Sequence, residues 1–171
     1  MRPGSIALGA ASLAAVIGCL GAPARAAEKL NAEDMGTIKY RQSLMDAIGG
    51  HMGAIGDVVK YGLAYQDQVV RHARMLEQSA EMIAPAFERS VSQGPTDAKP
   101  KIWEKQDDFL QKAHALRDAA AQLAAIASSA DPDTLAKQVK AVGKACGDCH
   151  DSYRKPKEES YKLKMRGPGG E

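Results

Sequence analysis

The sequence predicts an all-α protein, an antiparallel up-down four-helix bundle. Three observations point to it. Beyond residue 26 the chain is rich in Ala, Lys, Glu, Gln, Leu and Met, and aromatic residues make up only 5% of the whole. These are helix formers. No run alternates apolar and polar residues as a half-buried strand would, and four segments instead space their apolar residues three and four apart. Four amphipathic helices joined by short loops hide those stripes best against one another.

The first segment runs from about Asn31 to Lys60, with a stripe of Ile38, Met45, Ile48, Met52, Ile55 and Val59. Asn31 can cap it, and Asp34 in the first turn suits the helix dipole. The second runs from about Gln66 to Val91 through Val69, Ala73, Leu76, Ala80, Ile83 and Phe87, with a kink expected at Pro85. The third spans about Lys99 to Ala127 through Ile102, Phe109, Ala113, Leu116, Ala120 and Leu123. Pro100 in its first turn costs no hydrogen bond. The fourth opens on Asp131-Pro132, a cap followed by proline, and passes Leu135, Val139, Val142, Cys146, Cys149 and Tyr153 to about Lys155. Residues 27–155 form the bundle domain in this reading. Pro156 to Glu171 is charged, ends in Gly167-Pro168-Gly169-Gly170, and is expected to fray.

Residues 1–26 stand apart. A basic start, an apolar run from Ile6 to Leu20 and the small-x-small pattern Ala22-Pro23-Ala24-Arg25-Ala26 make a secretory signal peptide. The apolar run is short for a stable membrane span, so no transmembrane segment is expected after processing. Val16-Ile17-Gly18-Cys19 also loosely fits a lipobox, in which Cys19 would carry a lipid anchor. Either route exports the chain, and the periplasm is the expected compartment. Removing residues 1–26 takes away Arg2 and Arg25 and no acid, leaving 21 basic and 21 acidic side chains. That balance argues against a nucleic-acid partner.

Of the three cysteines, the two outside the signal form one cluster, Cys146-Gly147-Asp148-Cys149-His150. Cys-x-x-Cys-His is the c-type haem attachment pattern. On a helix the two thiols lie one turn apart, in reach of both vinyl groups of one porphyrin edge. His150 then presents a neutral imidazole to the iron. Three other chemistries use such a pair. A thioredoxin-type redox pair sits at a helix start in an αβ fold. A zinc site needs further ligands, and none is apparent. A plain disulfide leaves His150 unexplained.

The chain resembles the class II c-type cytochromes, the cytochrome c prime family. The resemblance lies in Lys39-Tyr40-Arg41-Gln42-Ser43, in Pro100-Lys101-Ile102-Trp103, and in Val142-Gly143-Lys144-Ala145-Cys146 continuing to Tyr153-Arg154-Lys155. It implies one covalently attached haem c, with Cys146 and Cys149 as thioethers and His150 as the proximal iron ligand. Matching Tyr40-Arg41-Gln42 and His51 to the family's first helix puts Met45 at the distal iron position, as in the low-spin, methionine-ligated branch. Thioether sulfur suits iron there, although most methionines at helical spacing are core. Met52 is the best substitute. The resemblance also implies that Arg41 pairs with a haem propionate, that Gln42 lies beside it, and that Arg154 tunes His150. His72 is a rival sixth ligand; His51 and His114 are expected at the surface or the helix flank.

These readings lead to an exported monohaem electron carrier with His150/Met45 ligation, exchanging electrons with redox protein donors and acceptors as a monomer or homodimer. The alternative is a five-coordinate protein binding nitric oxide or carbon monoxide. An enzyme is not expected, because no distal histidine has a partnering arginine.

Overall fold

The structure, a computed structural model, describes residues 30–166. The signal peptide and Cys19 lie outside them. Among the described residues there are helices and one isolated bridge, Ala98 to Arg154, but no strand. The long helices are α1 (Ala32–Tyr61), α2 (Gln66–Glu81), α5 (Gln106–Ile126) and α6 (Pro132–Tyr153); the short ones are α3 (Ile83–Ala86), α4 (Lys101–Glu104) and α7 (Tyr161–Arg166). Each long helix packs antiparallel on the next, giving the four-helix bundle the periodicity implied. No helix among the described residues is long and apolar enough to cross a membrane.

Local chemistry sets the ends. Asn31 Oδ1 accepts from the Asp34 N–H at 2.8 Å, with Glu33 and Asp34 in the first turn of α1. Gly62 ends α1 at φ +60°, a left-handed conformation that glycine adopts without strain. Asp131 caps α6, accepting from Asp133 N and Thr134 N, and Pro132 follows it. The second segment stops sooner than its apolar spacing suggested. It breaks at Met82, resumes for one turn around Pro85, and ends at Ala86. The third is interrupted at Lys105, so that the turn opened by Pro100 stands apart as α4.

The core lies between α2 and α5, where Val69, Ala73, Leu76, Ala120 and Leu123 are fully buried. At one end of the bundle Trp103, Phe87, Phe109 and Tyr153 follow one another in a chain of ring contacts. Phe109 meets Tyr153 edge-on at 5.3 Å, and Trp103 Nε1 donates to the Phe87 carbonyl at 2.8 Å. On α1 the buried stripe is Ile38, Arg41, Leu44, Ile48, Ile55 and Val58. Met45, Met52 and Val59, expected within that stripe, sit half-buried beside it instead. The stripe turns by about one residue because α1 must serve α2 on one side and α6 on the other.

The tail departs from expectation. Lys157–Glu159 forms a 3-10 turn and Tyr161–Arg166 a short helix. Ser160 is buried; its Oγ donates to Asp97 Oδ2 at 2.8 Å, and the Tyr161 N–H donates to Asp97 Oδ1 at 2.9 Å. A single loop carboxylate therefore orders a segment whose composition reads as frayed.

Candidate functional site

α6 continues unbroken through Cys146-Gly147-Asp148-Cys149-His150, so the two thiols are one turn apart on one face. Both are free, half-buried and packed against the core. Burial pushes the Cys146 thiol up and takes Cys149 to about 11. A redox-active pair needs the opposite shift, toward thiolate. Among the described residues no group of three or more His, Cys, Asp or Glu is placed to hold a metal ion. The His150 imidazole is held below its ordinary value, first by burial and then by Arg154, while Asp151 opposes the shift. Two protonated thiols on one helical face beside a neutral imidazole fit haem c: two thioethers and one axial nitrogen.

The facing helix supplies one more group. A methyl on Gly143 of α6 would come 3.8 Å from Met52 Cε of α1, which puts these two residues level in the bundle. The helices run antiparallel, so seven residues back along α1 and seven forward along α6 cover the same distance, about 10 Å at 1.5 Å per residue. Those steps end on Met45 and on His150. Met45 is half-buried at that level.

Arg41 and Gln42 both donate to backbone carbonyls after α2. Arg41 is 3% exposed; its Nε donates to the Ala86 carbonyl at 2.7 Å, one terminal nitrogen to Val91 O at 3.0 Å, and the other to Arg89 O. Its guanidinium lies 4.6 Å over the Phe87 ring and 5.2 Å from that of Trp103, and burial lowers its pKa to about 10. Through these bonds Arg41 ties α1 to the end of α3 and the loop after it. Gln42 Nε2 donates to the Pro95 carbonyl at 2.7 Å, clasping the same loop rather than standing at a solvated helix start.

His72, the rival ligand, meets His51 instead, Nδ1 to Nδ1 at 3.1 Å between α1 and α2. His114 is exposed. Arg154 lies one turn beyond His150, 3.8 Å from Asp97. Asp97 itself went unnoticed in the sequence. It stands in a loop, outside any periodic pattern, yet it holds Arg154, Ser160 and Tyr161 together.

A family profile described as Cytochrome C' matches residues 36–154. Cytochrome c' of Pararhodospirillum photometricum is 32% identical over 118 residues, 68% of this chain and 94% of that protein. Among solved structures, cytochrome c prime from Shewanella frigidimarina aligns with a TM-score of 0.67 and 29% identity, covering 74% of this chain and all of that one. The nitric oxide complex of a leucine-to-alanine mutant of cytochrome c prime from Alcaligenes xylosoxidans aligns at 0.66 with 33% identity, covering 75% of this chain and all of its own.

Proposed function

The chain belongs to the cytochrome c′ family, whose members carry a single covalently attached haem c, and from that premise we propose that it binds nitric oxide or carbon monoxide there. Cys146 and Cys149 carry the thioethers and His150 is the axial ligand. The observation that carries the site is the set on α6: two thiols kept protonated and an imidazole kept neutral, on one face at the end of one helix. Haem c supplies the one-electron couple and the position where gas binds; the chain's own residues hold and shield it. Arg154, one turn past His150, adds positive charge beside the imidazole and helps keep it unprotonated. The family serves electron transport. Export read from residues 1–26 agrees with covalent attachment, which keeps a cofactor from being lost outside the cell.

Gas binding takes precedence over the six-coordinate electron carrier expected from the sequence. Relatives named cytochrome c′ stand beside others named cytochrome c-554 and cytochrome c-556, and one solved cytochrome c prime, a leucine-to-alanine mutant, holds nitric oxide. A second reading keeps the methionine: Met45 stands level with His150 on the opposing helix, and a thioether at that height suits axial ligation. Absorption spectra of the holoprotein, oxidised and reduced, decide between them. A high-spin ferric spectrum and a ferrous spectrum that shifts on adding carbon monoxide support gas binding. A low-spin spectrum with a sulfur-to-iron band, unmoved by carbon monoxide, overturns it in favour of His150/Met45 ligation.

A further inference from the structure

α1 and α2 meet over a pair of imidazoles. His51 Nδ1 lies 3.1 Å from His72 Nδ1, and the two ring centroids are 5.4 Å apart. We infer that this pair is a binding site for a divalent late transition metal, copper(II) foremost. The site is separate from the haem: His51 looks onto α2, while its neighbour Met52 faces Gly143 of α6. The inference does not rest on the gas-binding reading.

Two nitrogens bonded to one ion at about 2.0–2.1 Å and held 3.1 Å apart subtend roughly 98° at the metal. That angle lies between the right angle of a tetragonal site and the wider angle of a tetrahedral one. The spacing therefore suits adjacent coordination positions. Without an ion the Nδ1 atoms face one another and share one proton as N–H···N. Turning the rings outward with that separation kept directs both lone pairs onto one point. Neutral imidazole binds such metals through either ring nitrogen. The shared proton leaves Nδ1 for Nε2 of the same ring, two waters leave the hydrated ion, and no electron moves.

Packing holds the two ligands at one level. Ile48 and Ile55, one turn to either side of His51, are buried, as are Val69 and Leu76, one turn to either side of His72. The rings themselves are half-buried, and Ala47 and Gly50 beside His51 are exposed and carry almost no side chain. A methyl on Gly49, Gly50 or Gly53 would meet nothing within 4 Å, so water reaches that face. Among the described residues no group of three or more His, Cys, Asp or Glu converges on an ion, and water completes the shell.

The donor set selects the metal. Calcium and magnesium take oxygen ligands, and this pair offers two nitrogens and no carboxylate. Among divalent first-row metals, affinity for nitrogen sites peaks at copper(II). Arg71 and Arg74 are exposed near His72 along α2 and repel any dication. Binding then depends on the strength of the metal–nitrogen bonds, which again favours copper.

The test uses the ferric holoprotein, in which haem occupies His150 and leaves His51, His72 and His114 of the chain's four histidines. Copper(II) sulfate is titrated in and followed by electron paramagnetic resonance. One equivalent is expected to give a copper signal split by two nitrogens. His51→Gln and His72→Gln keep a hydrogen-bonding amide at each position but remove a metal ligand. Each is expected to lose one nitrogen coupling and to weaken copper binding about tenfold or more, at least the loss that an outer-shell change causes. His114→Gln is expected to bind copper as the wild type does. Zinc(II), which is redox-inert, gives a second readout. It is expected to raise the urea midpoint of the wild type and of His114→Gln but not of the two pair variants. A copper signal without nitrogen coupling, equal copper affinity in the wild type and both pair variants, or equal zinc-induced shifts in all four proteins overturns the inference. The pair is then only a hydrogen bond between helices. The haem c spectrum is read in the same samples, so a failure of the haem reading is seen separately.

Discussion

Arg41 on α1 donates from Nε to the carbonyl of Ala86 at 2.7 Å, closing the first helix onto the last residue of α3. With the bonds to Val91 and Arg89 it satisfies three loop carbonyls from one buried cation. Arg41→Ala removes all three donors and leaves those carbonyls without partners, at a cost of about 3 kcal/mol. Urea unfolding of the variant should show a lowered midpoint with an unchanged slope. Lysine at this position, lacking the planar fork, should restore only part of the loss.

Met45 decides the ligation. If gas binding is the function, Met45→Leu should leave the ferric spectrum high-spin and change carbon monoxide affinity only modestly. If Met45 is a ligand, the same substitution converts a low-spin spectrum into a high-spin one and lowers the reduction potential.

Covalent attachment rests on two thiols. Cys146→Ala or Cys149→Ala alone should keep haem bound through the remaining thioether, with the pyridine haemochrome band moved to longer wavelength. The double variant should release haem into acidified acetone. Haem resisting extraction from the double variant would rule out these residues as the points of attachment.

His51 makes stability depend on pH. Its imidazole is held below the ordinary value of 6.5, first by burial and then by His72. The folded protein resists a proton that the unfolded chain accepts near that value, so the stability it contributes above about 6.5 is lost as pH falls below it. Urea midpoints at pH 5 and pH 7.5 should differ more for the wild type than for His51→Gln. Equal differences would show that His51 does not couple its protonation to folding.

The structure bears out the bundle read from helical spacing, and the family comparison bears out the haem c read from Cys146-x-x-Cys149-His150. Both were legible because they are local: three- and four-residue intervals decide which face a side chain occupies, and one helical turn places the thiols. Caps were legible for the same reason, and Asn31 and Asp131 bond within three residues of themselves. Other features depended on elements far apart in the chain. The heights of Met45 and His150 follow from the register of α1 against α6. The burial of Arg41 follows from a loop some fifty residues away, and the ordering of the tail from Asp97, more than sixty residues before Tyr161. Arg41, Gln42 and Asp97 are polar residues whose sequence neighbourhood suits solvent. Only packing, by removing water from the Arg41 guanidinium and from the Ser160 hydroxyl on the Asp97 carboxylate, turns them into ties that hold the functional end of the bundle together.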